Sequence, residues 1–253
     1  MGNFNEKTAN IYTDFGLFSC RRSLTTEVNK VFLYLAQKNM DPEFKTLLVA
    51  PFNMRKTFYR LIDNEIKNAG EGKTASIILK LNSLEDKKII QKLYRASQAG
   101  VKIDLIIRGI CCLVPGLKNL SENINLISIV DRYLEHSRIY YFHNNGDPEV
   151  YIGSADLMDR NLLRRVEVIF PVEPKALRDR MIHEILEISL ADNVKARTMH
   201  PEGIYTLLDP DEDEPMGRRD VTIHHRRNLE MTTDAATLSA SCVSRCGIGA
   251  RRA

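Results

Sequence analysis

Residues 75–108 read ASIILKLNSLEDKKIIQKLYRASQAGVKIDLIIR, and this stretch decides the fold class. Two short apolar runs, residues 76–81 and 102–107, are predicted to be buried strands. The segment between them, residues 85–98, is predicted to be a helix that Gly100 ends, because glycine commonly follows the last helical turn. Strands that alternate with helices in this way indicate an α/β sheet.

The alternation continues on both sides of this unit. Toward the N-terminus the sequence predicts two further helices and a strand, at residues 24–37, 53–69 and 46–50 respectively. Toward the C-terminus it predicts four strands and a last helix, at residues 127–130, 138–143, 149–152, 166–170 and 174–190. The later strands follow one another closely, so part of the sheet is expected to be antiparallel.

The helix predicted at residues 24–37 carries apolar residues at the spacing of a single helix face. These residues, which are expected to be buried together, are Val28, Val31, Phe32 and Leu35. Thr25 or Thr26 is expected to cap the first turn, although neither has a glutamate at the capping-box position.

The composition is that of an ordinary globular protein. Hydrophobic residues make up 43% and charged residues 27% of the 253 residues. There is no run of roughly 18 apolar residues and no apolar signal core at the N-terminus, so we expect a cytoplasmic protein without a membrane span. The five cysteines lack metal-ligand spacing, and Cys111 and Cys112 are expected to pack as small apolar residues.

The net charge of +3 is unevenly distributed along the chain. Residues 215–253 contain seven arginines and three acidic residues, a net charge of +4, which leaves −1 for residues 1–214. This balance argues against a basic nucleic-acid groove in the folded part. The tail begins at the acidic sequence DPDEDEP, lacks apolar periodicity, and is expected to be largely disordered and dispensable for folding.

Chemically active residues cluster at the ends of the predicted strands. Arg108 directly follows the strand at 102–107, where ligands bind in open α/β sheets. His136 and Arg138 precede the apolar run at residues 139–142, and the pair Gly153–Ser154 closes the apolar run at residues 150–152. A guanidinium, an imidazole and a Gly-Ser corner can together bind phosphate, so the segment predicts phosphoryl chemistry.

Five motifs give the sequence a close resemblance to the bacterial polyphosphate kinase family. They are GNFNEKTANIYTDFGLF, LLVAPFNMR, LYRASQAGVKIDLIIRGICCLVPG, SIVDRYLEHSRIYYFHNNG and YIGSADLMDRNLLRRVEV, within roughly residues 2–205. The resemblance implies reversible transfer of the terminal phosphate of ATP to inorganic polyphosphate, with magnesium as cofactor and a homo-oligomer as the complete enzyme. It also implies a phospholipase D-like mixed sheet flanked by helices.

The resemblance assigns roles to three residues of this sequence. Tyr12, in the YTD motif, is implied to lie against the nucleotide base, and Arg108, in the RGICCL motif, is implied to contact the phosphates. His136, in the LEHSR motif, is implied to be an acid/base group beside the transferred phosphate. In the family, the histidine that is phosphorylated and two magnesium-binding arginines precede the segment present here. The 253-residue chain is therefore expected to make no polyphosphate by itself.

The resemblance also divides the chain into three parts. Residues 1–45 are interpreted as a remnant of a preceding catalytic domain, residues 46–208 as a C-terminal phospholipase D-like domain, and residues 209–253 as a tail. Further phosphate contacts are considered at five positions, Asn5, Lys7, Arg132, Arg164 and Arg165. His143 is expected to point away from His136 and to be structural.

Two alternative functions stay open at this point. One is a non-catalytic fragment that binds nucleotide or polyphosphate. The other is a phosphodiesterase of the phospholipase D superfamily. The segment Gly153–Asp156 resembles the Gly-Ser-x-Asn corner of that superfamily, with aspartate in place of asparagine. Such a hydrolase needs two complete His-x-Lys motifs, whereas this sequence has one degenerate copy, His136-Ser-Arg138. The Gly153–Asp156 corner is therefore interpreted as part of an inherited scaffold and not as a hydrolase active site.

Overall fold

The computed structural model of the chain describes residues 7, 11–13, 15–131 and 133–208. In chain order, the strands within these residues are β1 (Tyr12–Thr13), β2 (Leu48–Ala50), β3 (Ser76–Leu81), β4 (Lys102–Ile107), β5 (Ile124–Ile129), β6 (Leu134–Glu135), β7 (Arg138–Phe142), β8 (Glu149–Gly153), β9 (Glu167–Pro171), β10 (Ala196–Met199) and β11 (Tyr205–Leu207). The α-helices are α1 (Arg22–Gln37), α2 (Met54–Gly70), α3 (Lys87–Gln98), α4 (Lys175–Met181) and α5 (Ile188–Leu190). A 3₁₀ turn (Asn144–Gly146) and two π-helical segments (Arg160–Arg164 and Ile182–Glu187) complete the described elements.

Nine of the strands form one mixed sheet in the order β11-β10-β5-β4-β3-β7-β8-β9-β2. The central strands β3, β4 and β5 are parallel, and the other pairs are antiparallel. Helix α3 crosses over between β3 and β4, as a parallel pair requires, whereas a short turn is enough to join the antiparallel strands β7 and β8. The predicted α/β sheet with an antiparallel part is confirmed.

The central strands are buried on both faces. On β4, Ile103, Leu105 and Ile107 belong to the apolar cluster that packs against α2 and α3. Ile106 points to the opposite face, where its cluster includes Ile185 from the π-helical part of the last helix. Because side chains alternate along a strand, a strand covered on both faces needs an almost continuous apolar sequence. This is why β3 and β4 have the bounds predicted from the sequence.

The face that α1 buries differs from the prediction. The buried residues are Leu24, Glu27 and Val31, and the two apolar ones pack against Leu47 and Val49. The predicted members Val28, Phe32 and Leu35 are instead exposed by 39%, 66% and 48% respectively. Helical spacing fits either stripe, and the choice depends on the partner that lies beside the helix.

Glu27 explains why the other stripe of α1 faces inward. Its carboxylate accepts main-chain N–H bonds from Lys45, Thr46 and Leu47 at 2.8–3.2 Å, just before β2 begins. The predicted threonine cap is also wrong, since the N-cap residue is Arg21 and its side chain makes no capping hydrogen bond.

Several predicted boundaries are corrected. Strand β5 begins at Ile124 and ends at Ile129, not at residues 127–130. The short strands β1, β6, β10 and β11 were not predicted, and the helix predicted at 174–190 contains the π-helical segment Ile182–Glu187. Among the described residues, no helix is both long and apolar enough to span a membrane. The predicted tail, residues 209–253, lies outside the described residues.

Candidate functional site

Four strands end or begin at the same edge of the sheet. The parallel strands β3 and β4 end there at Leu81 and Ile107. Antiparallel β7 begins at Arg138 beside the end of β3, and β8 ends at Gly153 opposite Arg138. Carboxyl ends of parallel strands are where open α/β sheets bind ligands. The candidate residues that flank these strands therefore share one edge.

Tyr12 is brought to this edge by a small parallel sheet of β1 and β6. The His136 N–H, directly after β6, donates to the Thr13 carbonyl at 3.0 Å. The rings of Tyr12 and His136 meet edge to face with centroids 5.4 Å apart. The guanidinium carbon of Arg108 lies 5.9 Å from the centre of the same Tyr12 ring. The three residues named from the sequence therefore lie together, while their binding and catalytic roles stay predictions.

Arg108 is held by a neutral side chain. Its Nε and Nη2 donate to Oδ1 of Asn82 at 3.1 and 2.7 Å, while its buried Nη1 has no hydrogen-bond partner among the described residues. Burial lowers the pKa of Arg108 from its ordinary value, which shows that the charge has lost hydration. Because Asn82 carries no charge, no carboxylate among the described residues is bonded directly to this guanidinium, although Asp156 and Glu135 attract it at longer range, and Nη1 keeps a spare donor.

Arg138 lies at the same edge, but its guanidinium is paired with a carboxylate. Its Nη2 is 3.0 Å from Oδ2 of Asp156 and its Nε is 3.3 Å from Oδ1 of the same carboxylate. Both side chains are buried, so this is an ion pair shielded from solvent. The charge of Arg138 is compensated within the protein. Of these two arginines, Arg108 is the one whose guanidinium keeps an unbonded donor among the described residues.

A buried lysine fixes the residues on both sides of His136. Lys80 on β3 is 4% exposed, and its Nζ lies 2.5 Å from a carboxylate oxygen of Glu135 and 3.1 Å from the Ser137 hydroxyl. Sequence reasoning missed this residue, because a lone lysine in an apolar strand gives no sign of its partners. Ser137, for instance, follows 57 residues later.

The corner at Gly153–Ser154 is a packing feature. A Cβ at Gly153 would overlap the Ile169 side chain and lie 2.7 Å from the Val168 carbonyl, so glycine allows β8 and β9 to approach. The main-chain N–H of Ser154 donates to the Val168 carbonyl at 3.0 Å, and its hydroxyl accepts from the Val168 N–H at 3.2 Å. These groups are already bonded within the protein, so the corner has a structural role, while its part in phosphate binding stays a prediction.

The other candidates lie apart from this cluster or are solvent-exposed. His143 begins the 3₁₀ turn after β7, and its Nδ1 accepts from the Gly146 N–H at 3.2 Å, which is a structural contact. Lys7, Arg164 and Arg165 are exposed. Asn5 and Arg132 lie outside the described residues.

The two adjacent cysteines differ from each other. Cys111 is partly buried against the core, and burial raises the pKa of its thiol to about 11. Cys112 is exposed, which corrects the expectation that both pack as apolar residues.

The described residues contain no cluster of metal-ligand side chains. Within residues 7, 11–13, 15–131 and 133–208, no group of three or more His, Cys, Asp or Glu side chains is arranged to hold a metal ion. The carboxylate of Asp156 is bonded to Arg138, and that of Glu135 to Lys80. Magnesium at nucleotide sites is commonly held by one or two carboxylates together with phosphate oxygens and water, so magnesium as a cofactor stays a prediction.

Family models and sequence relatives that match this chain all carry the same family name. A model described as "Polyphosphate kinase C-terminal domain 2" matches residues 47–218, and one described as "Polyphosphate kinase C-terminal domain 1" matches residues 1–41. The chain is 50% identical over 208 residues to a polyphosphate kinase of Staphylococcus saprophyticus, covering 82% of this chain and 29% of that protein. It is 51% identical over 209 residues to a polyphosphate kinase of Synechocystis sp., covering 83% and 29%.

A solved structure agrees with these sequence relatives. The crystal structure of polyphosphate kinase from Porphyromonas gingivalis matches with a TM-score of 0.86 and 43% identity, over 92% of this chain and 36% of that chain. The chain thus spans less than a third of the length of these two curated relatives. The matched models and the matched structure together show that the chain belongs to the polyphosphate kinase family, within the family's C-terminal region.

Proposed function

We propose that this chain is the part of a polyphosphate kinase that binds the nucleotide and its phosphates during reversible transfer of the terminal phosphate of ATP to inorganic polyphosphate. The observation that carries the proposal is the state of Arg108. Its guanidinium is anchored by the neutral Asn82, has an unused donor among the described residues, and lies beside Tyr12. Relatives about 50% identical to this chain are named polyphosphate kinase.

Each of the three clustered residues then has a distinct task. The Tyr12 ring offers an apolar surface for the base and lies beside both Arg108 and His136. Arg108 donates N–H bonds to oxygens of the transferring phosphoryl group, where negative charge is spread in the transition state. The His136 imidazole donates a hydrogen bond or a proton to a phosphate oxygen. Phosphoryl transfer depends mainly on such positioning and charge stabilisation.

The covalent step belongs to a residue outside this chain. No His-x-Lys sequence occurs in the 253 residues, so the family's phosphorylated histidine is not among them. Magnesium, by the same proposal, accompanies the phosphates and is held by residues outside this sequence. The proposal further includes ATP or ADP and polyphosphate as partners, a homo-oligomeric complete enzyme, and a cytoplasmic location. The charge of −1 on residues 1–214 supports a partner other than nucleic acid.

The phosphodiesterase alternative is less well supported. The residue that replaces lysine in the His-x-Lys motif is Arg138, whose charge Asp156 already neutralises. An internally paired guanidinium does not stabilise a phosphodiester substrate. Binding without catalysis by this chain alone remains the second candidate, because Tyr12, Arg108 and His136 are all present.

The first prediction concerns the purified 253-residue chain. With ATP and magnesium it should make no polyphosphate, because the nucleophile that forms the covalent intermediate is missing. Synthesis is measured by electrophoresis of the product. Robust synthesis would overturn the division of labour proposed for this chain.

The second prediction concerns the complete protein that carries this chain. Arg108→Ala should cost on the order of 2.7–4 kcal/mol of transition-state stabilisation, and Arg108→Lys should restore only part of it. His136→Ala should lower kcat more than it weakens ATP binding. Steady-state kinetics and calorimetric ATP titration measure both effects. An unchanged kcat/KM in Arg108→Ala would contradict the proposed function.

A further inference from the structure

One buried carboxylate connects the two halves of the candidate site. Asp156 is 4% exposed and follows β8 at the edge described above. Its Oδ1 accepts main-chain N–H bonds from Asn82 at 2.8 Å and from Ser83 at 3.1 Å. The same carboxylate binds the Arg138 fork through Nε and Nη2 at 3.3 and 3.0 Å. Both oxygens are therefore engaged from inside the protein, and Asp156 has no role as a substrate ligand.

The first pair of bonds controls Arg108. Asp156 fixes the main chain at Asn82, and the Asn82 side chain in turn binds two donors of Arg108. Gly109 reinforces this junction, because its N–H donates to the Asn82 carbonyl at 2.7 Å and a Cβ there would lie 2.9 Å from that oxygen. Movement of Asp156 would shift the anchor of Arg108.

The second pair of bonds controls His136. With its fork held by Asp156, Arg138 directs its remaining terminal nitrogen, Nη1, to the main-chain carbonyl of His136. That contact sets the path of the chain as it enters β7. One path therefore leads from Asp156 through Asn82 to the Arg108 side chain, and another leads through Arg138 to the main chain of His136.

We infer that Asp156 is a positioning residue that sets the spacing between Arg108 and His136 and so aligns both with the transferring phosphate. The inference rests on the proposed function for its kinetic consequence. An aspartate suits the position because it accepts from four N–H groups and neutralises Arg138, whereas the amide of asparagine would turn N–H groups toward those donors.

The test must separate positioning from loss of stability. It uses the complete protein that carries this chain, with Asp156→Asn, the double variant Asp156→Asn/Arg138→Gln, and Glu65→Gln as matched control. Glu65 is also a fully buried carboxylate that accepts two main-chain N–H bonds, from Ser76 and Asn144. Ser76 begins β3, so this control lies at the opposite end of the strand that leads to Asn82. The double variant removes both charges of the buried pair, so no unpaired charge is left to destabilise the fold. It still lacks the two hydrogen bonds that join Arg138 to Asp156.

The readouts are thermal unfolding and the steady-state kinetics of polyphosphate synthesis. Asp156→Asn should lower kcat on the order of 100-fold, with KM for ATP changed by no more than about threefold. Glu65→Gln should lower the unfolding temperature but leave kcat within about threefold of wild type. The double variant should recover the unfolding temperature and not kcat. If Asp156→Asn does not fold, the double variant alone tests the positioning role. Recovery of both kcat and the unfolding temperature in the double variant would overturn the inference.

A geometric readout keeps this inference separate from the proposed function. In the labelled 253-residue chain, nuclear Overhauser contacts of the Tyr12 ring with His136 and Arg108 report the spacing directly. They should persist in Glu65→Gln and disappear in the double variant. An inactive wild-type complete protein would defeat the proposed function, while persistent contacts in the double variant would defeat the positioning role whatever the activity.

Discussion

The two arginines at the sheet edge where β3 and β4 end show how a neighbouring side chain determines whether a guanidinium is paired within the protein. Arg108 faces the neutral amide of Asn82, while Arg138 faces the carboxylate of Asp156. A guanidinium beside a buried carboxylate is an internal ion pair, whereas one beside an amide keeps its charge for a ligand. At the scale of single residues, the identity of the anchor therefore separates the arginine proposed to bind phosphate from the one held in an internal ion pair.

This contrast predicts the effect of Asn82→Asp. The new carboxylate keeps the acceptor position for Arg108 but neutralises its charge, so affinity for tripolyphosphate should fall by about tenfold or more. Asn82→Ala should weaken binding less, because the guanidinium loses its anchor but keeps its charge. Calorimetric titration of the 253-residue chain with tripolyphosphate measures both, and equal losses in the two variants would contradict the electrostatic explanation.

At the scale of elements, α1 carries two apolar stripes and buries only one of them. Val31 packs with Leu24 against the residues around β2, while the adjacent Phe32 is 66% exposed. Glu27 fixes this rotation of the helix by binding the main-chain N–H groups that lead into β2. The hydrogen-bonded carboxylate is thus buried together with two apolar side chains of its own stripe, while the other apolar stripe faces solvent.

Adjacent substitutions in α1 provide a matched test of this rotation. Val31→Asp places a charge in a buried apolar contact and should cost at least about 2 kcal/mol of unfolding free energy. Phe32→Asp, one position later, should change it by no more than about 0.5 kcal/mol. Urea unfolding of the 253-residue chain measures both. A larger loss for Phe32→Asp would show that the helix buries the stripe predicted from the sequence.

At the scale of the whole molecule, the candidate site is assembled from both segments matched by the family models. Tyr12 lies within the match at residues 1–41, and Arg108 and His136 lie within the match at residues 47–218. The pairing of β1 with β6 joins these segments at the site. The proximity of Tyr12 to Arg108 and His136 thus depends on packing between parts that are far apart in sequence.

Glu65 on α2 accepts N–H bonds from the start of β3 and from the turn after β7. Because its pKa is shifted in the folded protein, the stability of the whole molecule depends on pH. Desolvation raises the pKa of Glu65, although N–H bonds from Asn144 and Ser76 partly oppose this shift. A raised pKa in the folded state means that the ionised form is disfavoured there. The stability it contributes is thus present below the ordinary glutamate pKa and is lost as pH rises through the raised value.

The difference in unfolding free energy between wild type and Glu65→Gln should therefore be more favourable to wild type at pH 4.5 than at pH 7. Other titrating groups are common to both proteins and largely cancel in this difference. Urea unfolding at the two pH values provides the measurement. A difference that stays constant, or that favours wild type more at pH 7, would contradict the raised pKa.

The sequence by itself determined the α/β class, the bounds of β3 and β4, and the position of Arg108 directly after a buried strand. These features follow from local composition, because strands covered on both faces require continuous apolar runs. Its motifs also identified the family and named Tyr12, Arg108 and His136 before their proximity was visible. Short strands such as β1 and β6 were missed, since two residues each give no periodic signal.

Only the tertiary structure decided which partners these residues have. Asn82 precedes Arg108 by 26 residues, and Asp156 follows Arg138 by 18, so neither pairing leaves a trace in local spacing. The buried face of α1 was likewise fixed by main-chain N–H groups that become available only when β2 is in place. Periodicity reports which residues avoid water, whereas hydrogen-bond partners depend on where the sheet brings distant segments together.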